Sequence, residues 1–150
     1  MSHQLTDLVR LMACLRDPEH GCPWDRIQTY RSIVPFTLEE AYEVGDVIER
    51  GKFDELCAEL GDLLFQVVFY ARLAEEDGRF TLDDVIDAIV SKLLTRHPHV
   101  FPDATFQSFG RSEGSSVQSI KQTWEAKKAE ENEKGKLKET KNKLKNEYAE

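Results

Sequence analysis

The sequence lacks any apolar run long enough to cross a bilayer, which takes roughly 20 residues. Its first fifteen residues, MSHQLTDLVRLMACL, contain a short apolar stretch that Asp7 and Arg10 interrupt. This segment therefore has the pattern of neither a signal peptide nor a membrane anchor. We expect a cytoplasmic protein that does not contact a membrane.

Cysteine is scarce as well. Cys14, Cys22 and Cys57 are odd in number and form no C-x-x-C pair, so a disulfide framework is not expected. One alternative is a zinc site built from Cys14, His20, Cys22, His97 and His99. Because the spacings of these residues match no familiar zinc finger, we favour free thiols.

Positive charge is in short supply. The 150 residues carry 20 Lys and Arg against 28 Asp and Glu, which gives a net charge of −8 and a pI of about 5.1. This balance argues against a general DNA- or RNA-binding role. An acidic protein can still bind a polyphosphate where a metal ion mediates the contact.

No segment alternates apolar and polar residues as a strand does, so we predict an all-α fold, a bundle of about four to five helices. Apolar spacing and start and stop signals place helices at 4–16, 37–50, 54–76 and 81–96, with another from about residue 116. Two prolines in the segment 17–25 exclude regular structure there, and residues 100–116 are predicted to be loop.

The end of the chain has a different composition. Residues 125–150 contain eight lysines and seven glutamates, and few large apolar residues. We therefore predict a domain over residues 1–124 and a charged tail over 125–150 that is helical or partly disordered.

Two acidic clusters interrupt helices that otherwise look buried: Glu39-Glu40-x-x-Glu43 and Glu59-x-x-Asp62. Residues three apart share a helix face, so each cluster projects two carboxylates together. The second helix is apolar nearly all round, which predicts that it is largely buried. No Lys or Arg lies between Glu59 and Ala71 to compensate the charge, and uncompensated burial is costly. A metal ion is the simplest explanation.

Glu40 has a structural alternative, because it stands three residues after Thr37 and the two could form a capping box. Four carboxylates at one point would suit Mg²⁺ or Mn²⁺, which prefer hard oxygen ligands. No histidine stands three or four residues from these acids, which disfavours a di-iron site.

The ordered set of acids, with the fifteen residues 44–58 between its two parts, resembles the signature of the all-α nucleoside triphosphate pyrophosphohydrolases, and the MazG family in particular. The resemblance covers roughly residues 5–130 and includes three longer segments: LRDPEHGCPWDRIQTYRSIVPFTLEEAYEV, ELGDLLFQVVFYARL and SKLLTRHPHVFPD. Many family members carry two such domains, whereas this sequence has one copy of the acidic signature.

The resemblance implies a Mg²⁺-dependent enzyme, with Mn²⁺ as a substitute, that cleaves nucleoside triphosphates to monophosphate and pyrophosphate in nucleotide-pool housekeeping. It implies a homodimer or higher homo-oligomer that assembles through its helices. The residues that match family positions are the metal ligands Glu40, Glu43, Glu59 and Asp62, the water-orienting Glu39, the phosphate-binding Lys92 and Arg96, and the nucleotide-site Trp124.

Other interpretations stay open at this stage. Lys92 and Arg96 share a helix face, as phosphate binding requires, but they could also be a surface pair favoured by the helix dipole. Trp124 could stack on a base or belong to the core. The chain could also be a catalytically weak regulatory module that binds a nucleotide or a protein.

Overall fold

The computed structural model describes residues 1–112, 114–131 and 136–148, and the regular structure in these ranges is helical throughout. The all-α prediction is confirmed. The described ranges hold seven α-helices: α1 (Leu5–Leu15), α2 (Pro23–Arg26), α3 (Tyr30–Glu49), α4 (Phe53–Glu76), α5 (Leu82–Arg96), α6 (Val117–Glu131) and α7 (Lys136–Glu147), with a 3-10 turn at Phe106–Ser108. The count of four to five was too low, because it omitted α2 and α7.

Contacts divide the chain into two units, Met1–Asp83 and Asp84–Glu150. The predicted domain boundary after residue 124 stays a prediction; α6 runs through that position without a break. No helix in the described ranges combines the length and the apolar content needed to cross a membrane.

The core of the first unit lies where α1 and α3 pack against α4. Apolar residues at helical spacing on each helix meet there, which removes their side chains from water. The buried members are Met12, Ile33, Val68, Phe69 and Leu73, and Leu8, Val9, Phe65, Tyr70 and Leu82 pack around them.

Helix α3 begins seven residues earlier than predicted. Its N-cap is Thr29, whose hydroxyl accepts a hydrogen bond from the Ser32 amide at 3.2 Å, while the Ser32 hydroxyl accepts one from the Thr29 amide at 2.8 Å. Thr37 lies inside the helix, so the predicted capping box of Thr37 and Glu40 was wrong. The structural explanation for Glu40 is thereby removed.

The segment 17–25 was predicted to contain no regular structure, and this was wrong for its end. Pro23 occupies the first position of α2, where a missing amide hydrogen costs nothing. Trp24 then lies edge to face with Phe36, with 5.4 Å between ring centroids. The Arg16 guanidinium holds the segment by donating to the carbonyls of Asp25 (2.6 Å) and Gln28 (3.1 Å) and pairing with Glu76 at 2.7 Å.

Helix α4 matches its predicted bounds to within one residue. The turn before it uses Gly51 and the turn after it uses Gly78, both at a φ of 67°, where residues with a side chain are strained. The prediction of a largely buried helix holds only for its second half. Every buried residue of α4 lies between Gln66 and Ala74, whereas Leu60 and Leu64 are exposed.

In the second unit, α5 ends at Arg96 and is followed by His97 and Pro98, as predicted. The ring of Phe101 packs against Phe106 and Phe109 in the following loop, with 5.9 and 6.0 Å between centroids. Ser116 precedes α6, and its hydroxyl accepts a hydrogen bond from the Ser119 amide at 3.2 Å. Apart from the 3-10 turn at Phe106–Ser108, the described residues of the range 100–116 are loop, as predicted, and the start of α6 near residue 116 is confirmed.

Candidate metal centre

Three carboxylates converge where α3 and α4 pack against each other. Glu40 and Glu43 stand three residues apart on α3, and Glu59 faces them from α4. One carboxylate oxygen from each of the three lies within 4.8 Å of the other two. We call Glu40, Glu43 and Glu59 the acid cluster.

Two oxygens of the acid cluster are buried and have no hydrogen-bond donor. These are Oε2 of Glu40 and Oε2 of Glu59, which find no partner in the described part of the chain. A buried carboxylate oxygen without a donor is costly and needs an explanation. Converging anionic oxygens are the ligands that Mg²⁺ and Mn²⁺ prefer, so the residues present fit a divalent cation.

The electrostatics of the cluster agree with this fit. Burial raises the pKa of Glu40, and the charges of Glu43 and Asp62 raise it further. Burial also raises the pKa of Glu59. The hydrogen bond and charge of Glu43 and the charge of Asp62 raise the pKa of Glu59 further. Each group thus resists ionisation in the metal-free state, and a bound cation would remove that penalty.

Asp62 and Glu39 stand at the edge of this arrangement. Asp62 is exposed and does not belong to the acid cluster, although its charge acts on Glu40 and Glu59. Glu39 is also exposed, and its charge contributes to the raised pKa of Glu40. The structure brings together three of the four predicted ligands, and the roles of Asp62 and Glu39 stay predictions.

Sequence reasoning missed the contribution of Glu55. It lies one turn before Glu59 on α4, its charge adds to the raised pKa of Glu59, and it pairs with Arg50 at 3.2 Å. The spacing of four residues to Glu59 was a signal that could have identified it.

The predicted phosphate-binding residues lie in the second unit. Lys92 is exposed, whereas the Arg96 side chain is only 12% exposed and forms a bidentate ion pair with Glu131 on α6, with 3.1 Å between Nε and Oε1. The Arg96 side chain is therefore held by a partner rather than fully solvated, while its place in the last turn of α5 still agrees with the helix-dipole interpretation. Its role in phosphate binding stays a prediction.

Trp124 is half-buried in the same unit. Its ring lies edge to face with His97, with 5.1 Å between centroids, and His97 Nδ1 lies 2.6 Å from the carbonyl oxygen of Leu93. Both contacts pack His97 at the end of α5. Base stacking by Trp124 stays a prediction.

The zinc alternative finds no support. Cys14, Cys22 and Cys57 are free thiols. Within the described ranges, the acid cluster is the only group of three or more potential ligands close enough to share an ion.

Comparison with known proteins adds an independent line of evidence. Residues 28–101 match the MazG nucleotide pyrophosphohydrolase domain family. The chain is 53% identical over 129 residues to a nucleoside triphosphate pyrophosphohydrolase of Escherichia coli K12, covering 86% of this chain and 46% of that protein. It is 46% identical over 112 residues to the nucleoside triphosphate pyrophosphohydrolase/pyrophosphatase MazG of Thermotoga maritima, covering 75% of this chain and 44% of that protein.

The chain thus spans less than half the length of these two relatives. The matched residues 28–101 include α3 and α4, which carry the whole acid cluster. Residues 28–101 of this chain therefore belong to the MazG nucleotide pyrophosphohydrolase domain family.

Proposed function

We propose that this protein hydrolyses nucleoside triphosphates to nucleoside monophosphate and pyrophosphate with the help of Mg²⁺, for which Mn²⁺ can substitute. The observation that carries the proposal is the acid cluster, in which two buried carboxylate oxygens have no donor within the described residues. The family and the names of the relatives support the same activity.

Glu40, Glu43 and Glu59 would hold the divalent ion, and we propose Asp62 as a fourth ligand. Such an ion supplies charge neutralisation for phosphate oxygens and a template for in-line displacement. Polyphosphate hydrolysis needs little covalent participation from the protein, so placing these carboxylates is the main task of α3 and α4.

We further propose that Glu39 orients the attacking water and accepts its proton. The water oxygen forms a new bond to one phosphorus of the α–β linkage, and the bond from that phosphorus to the bridging oxygen breaks. Nucleoside monophosphate and pyrophosphate separate, and the proton passes from Glu39 to solvent. Glu39 suits this role because it is exposed and directly precedes Glu40, so it is available to a solvent molecule near the acid cluster.

Lys92 and Arg96 are proposed to bind phosphate oxygens, and Trp124 to contact the nucleoside. Arg96 offers a planar fork of donors that can bind two oxygens at once. That fork binds the two carboxylate oxygens of Glu131, a contact that supports its use on a bidentate anion.

We also propose that the chain forms a homodimer or higher homo-oligomer through its helices. From its start to Val67, α4 carries a stripe of exposed residues at spacings of four and three: Phe53, Cys57, Leu60, Leu64 and Val67. This is the spacing of a helix seam that packs against another helix. An apolar stripe in water is unfavourable unless a partner covers it, and we propose a second copy as that partner.

The proposed setting is nucleotide-pool housekeeping in the cytoplasm, without DNA, RNA or membrane partners. The net charge of −8 supports the exclusion of nucleic acid, because backbone phosphates would be repelled.

The test is incubation of the protein with a panel of nucleotides and Mg²⁺, with products separated by chromatography. Monophosphate plus pyrophosphate supports the proposal, while diphosphate plus orthophosphate contradicts the proposed bond cleavage. Absence of turnover would favour the regulatory module that binds without hydrolysis. The double variant Glu40→Gln/Glu59→Gln, purified in parallel, controls for contaminating hydrolases.

A further inference from the structure

One buried and two half-buried polar side chains lie on the faces of α3 and α4 that also carry the acid cluster. Thr37 on α3 precedes Glu40 by three residues, and Gln66 on α4 follows Glu59 by seven, which places each on the same helix face as its acidic neighbour. Tyr70 follows Gln66 by four residues on the same face. We call Thr37, Gln66 and Tyr70 the polar layer.

The three side chains are joined by hydrogen bonds between the helices. The Thr37 hydroxyl lies 3.1 Å from Gln66 Oε1, 2.7 Å from the Tyr70 hydroxyl and 3.2 Å from the Ile33 carbonyl oxygen. The single hydroxyl hydrogen of Thr37 points toward these two carbonyl oxygens. The Thr37 oxygen therefore acts as the acceptor toward Tyr70, whose phenol donates. Gln66 is only 7% exposed, so its contact with Thr37 offsets the cost of removing the amide from water.

The position of the polar layer matters because the acid cluster pushes its two helices apart. Three carboxylates within 4.8 Å repel one another when no cation is bound. On one side of the cluster, the Gly51 turn and the pair between Arg50 and Glu55 hold α3 to α4. On the other side, the hydrogen bonds of the polar layer join α3 to α4, three residues from Glu40 on α3 and seven residues from Glu59 on α4.

We propose that Thr37, Gln66 and Tyr70 are positioning residues for the metal site: they hold α3 and α4 in register against this repulsion, so that the acid cluster is assembled before a cation arrives. The inference rests on the proposed metal site. An apolar layer could pack the same volume, but it would not fix the register of the two helices through directional bonds.

The test is the affinity of the metal-free 150-residue protein for Mn²⁺, measured by electron paramagnetic resonance of the free ion. Tyr70→Phe and Thr37→Val remove the hydroxyl groups while keeping the shape of each side chain. We expect each to weaken Mn²⁺ binding by up to about 10-fold, the lower end of the range for residues outside the ligand set that orient a metal site. Thr37→Ser keeps a hydroxyl group and should restore most of the affinity.

Tyr30→Phe is the matched control. The Tyr30 phenol donates to Asp77 at 2.8 Å, and Tyr30 stands ten residues before Glu40, about 15 Å along α3. This variant should bind Mn²⁺ like the parent.

Parental affinity in both Tyr70→Phe and Thr37→Val overturns the inference, whatever their melting temperatures, and so does equal weakening by Tyr30→Phe. If Thr37→Val fails to fold, Tyr70→Phe decides the outcome alone. Absence of Mn²⁺ binding by the parent would overturn the proposed metal site and this inference with it, whereas parental binding with unaffected variants overturns only the inference.

Discussion

At the scale of single residues, Glu40 shows what the acid cluster costs the metal-free protein. Burial raises the pKa of this carboxyl above its ordinary value of 4.5, with further contributions from Glu43 and Asp62. A carboxyl group with a raised pKa in the folded state destabilises that state at any pH above the raised pKa. The penalty disappears as the pH falls through the raised pKa toward 4.5, because the folded state then binds the proton first.

Glu40→Gln should therefore raise the melting temperature of the metal-free protein at neutral pH, since it removes one repelling charge and nearly keeps the shape. The gain over the parent should shrink as the pH falls toward that of the ordinary carboxyl. The measurement is thermal unfolding by circular dichroism in chelator at several pH values. Glu49→Gln, an exposed change on the same helix, is the control. A gain that stays constant with pH would contradict the assignment of the penalty to Glu40.

Asp62 tests whether the predicted metal site includes a fourth carboxylate. Asp62→Asn keeps the shape of the side chain and removes a charge that acts on Glu40 and Glu59. If Asp62 is a ligand, turnover at ordinary Mg²⁺ should fall by at least about 100-fold, which corresponds to about 2.7 kcal/mol of transition-state stabilisation. The exposed Asp54→Asn, on the same helix, should retain parental turnover. Normal turnover in Asp62→Asn would remove this residue from the metal site.

At the scale of the elements, the start of α3 shows where sequence reasoning fails. Thr29 and Thr37 are both suitable N-caps, and Pro35 between them favours the later one, because an internal proline costs about 3 kcal/mol. The structure chooses Thr29 and tolerates Pro35, and the longer helix buries Ile33 in the core of the first unit. That burial depends on α1 and α4, so local signals in α3 could not predict it.

The acid cluster and the polar layer differ in how far the sequence could predict them. Helical periodicity alone places Glu40 and Glu43 on one helix face. Buried carboxylates need a compensating cation, and a shared metal ion is what connected this pair to Glu59 in the prediction. The bond between Thr37 and Gln66 spans 29 residues and depends on the packing of two helices, so no local pattern indicates it. Periodicity also cannot show which face of an apolar helix packs against other helices of the same chain. For that reason the prediction missed the exposure of Leu60 and Leu64.

Arg96 has two candidate roles: binding the triphosphate, and joining α5 to α6 through its ion pair with Glu131. Variants of the two residues can separate these roles. If Arg96 binds the triphosphate, Arg96→Lys should lower kcat/KM although the charge is kept, and Arg96→Ala should lower it much further. The pair with Glu131 means that both changes also affect stability, by about 1 kcal/mol or less for a partly exposed pair.

Glu131→Gln is the matched control for this pair, since it weakens the link without touching Arg96. It should lower the melting temperature by a similar amount, no more than about 4 °C, and leave kcat/KM at or above the parental value. If Arg96→Ala and Glu131→Gln lose stability together and both keep parental kcat/KM, Arg96 serves only to join the two helices.

At the scale of the whole molecule, the charge and the apolar surface suggest how the protein works. The proposed substrate is a polyanion, whereas the chain has a net charge of −8, so we expect binding to depend on the proposed divalent ion and on the proposed phosphate-binding cations. Turnover should therefore require the metal. The exposed apolar stripe lies on α4 between Phe53 and Val67, and Glu59 lies on the same helix. The proposed subunit contact and a proposed metal ligand therefore share one helix.

Leu64→Glu should break the proposed assembly, because it puts a charge into the middle of the stripe, at a residue that is 44% exposed in the single chain. We expect the parent to show at least twice the monomer mass by light scattering after size exclusion, and the variant to show the monomer mass with its helical content kept. Leu11→Glu, at a similarly exposed leucine on α1, should keep the parental mass. A monomeric parent, or a Leu64→Glu variant with the parental mass, would show that this stripe is not the subunit contact.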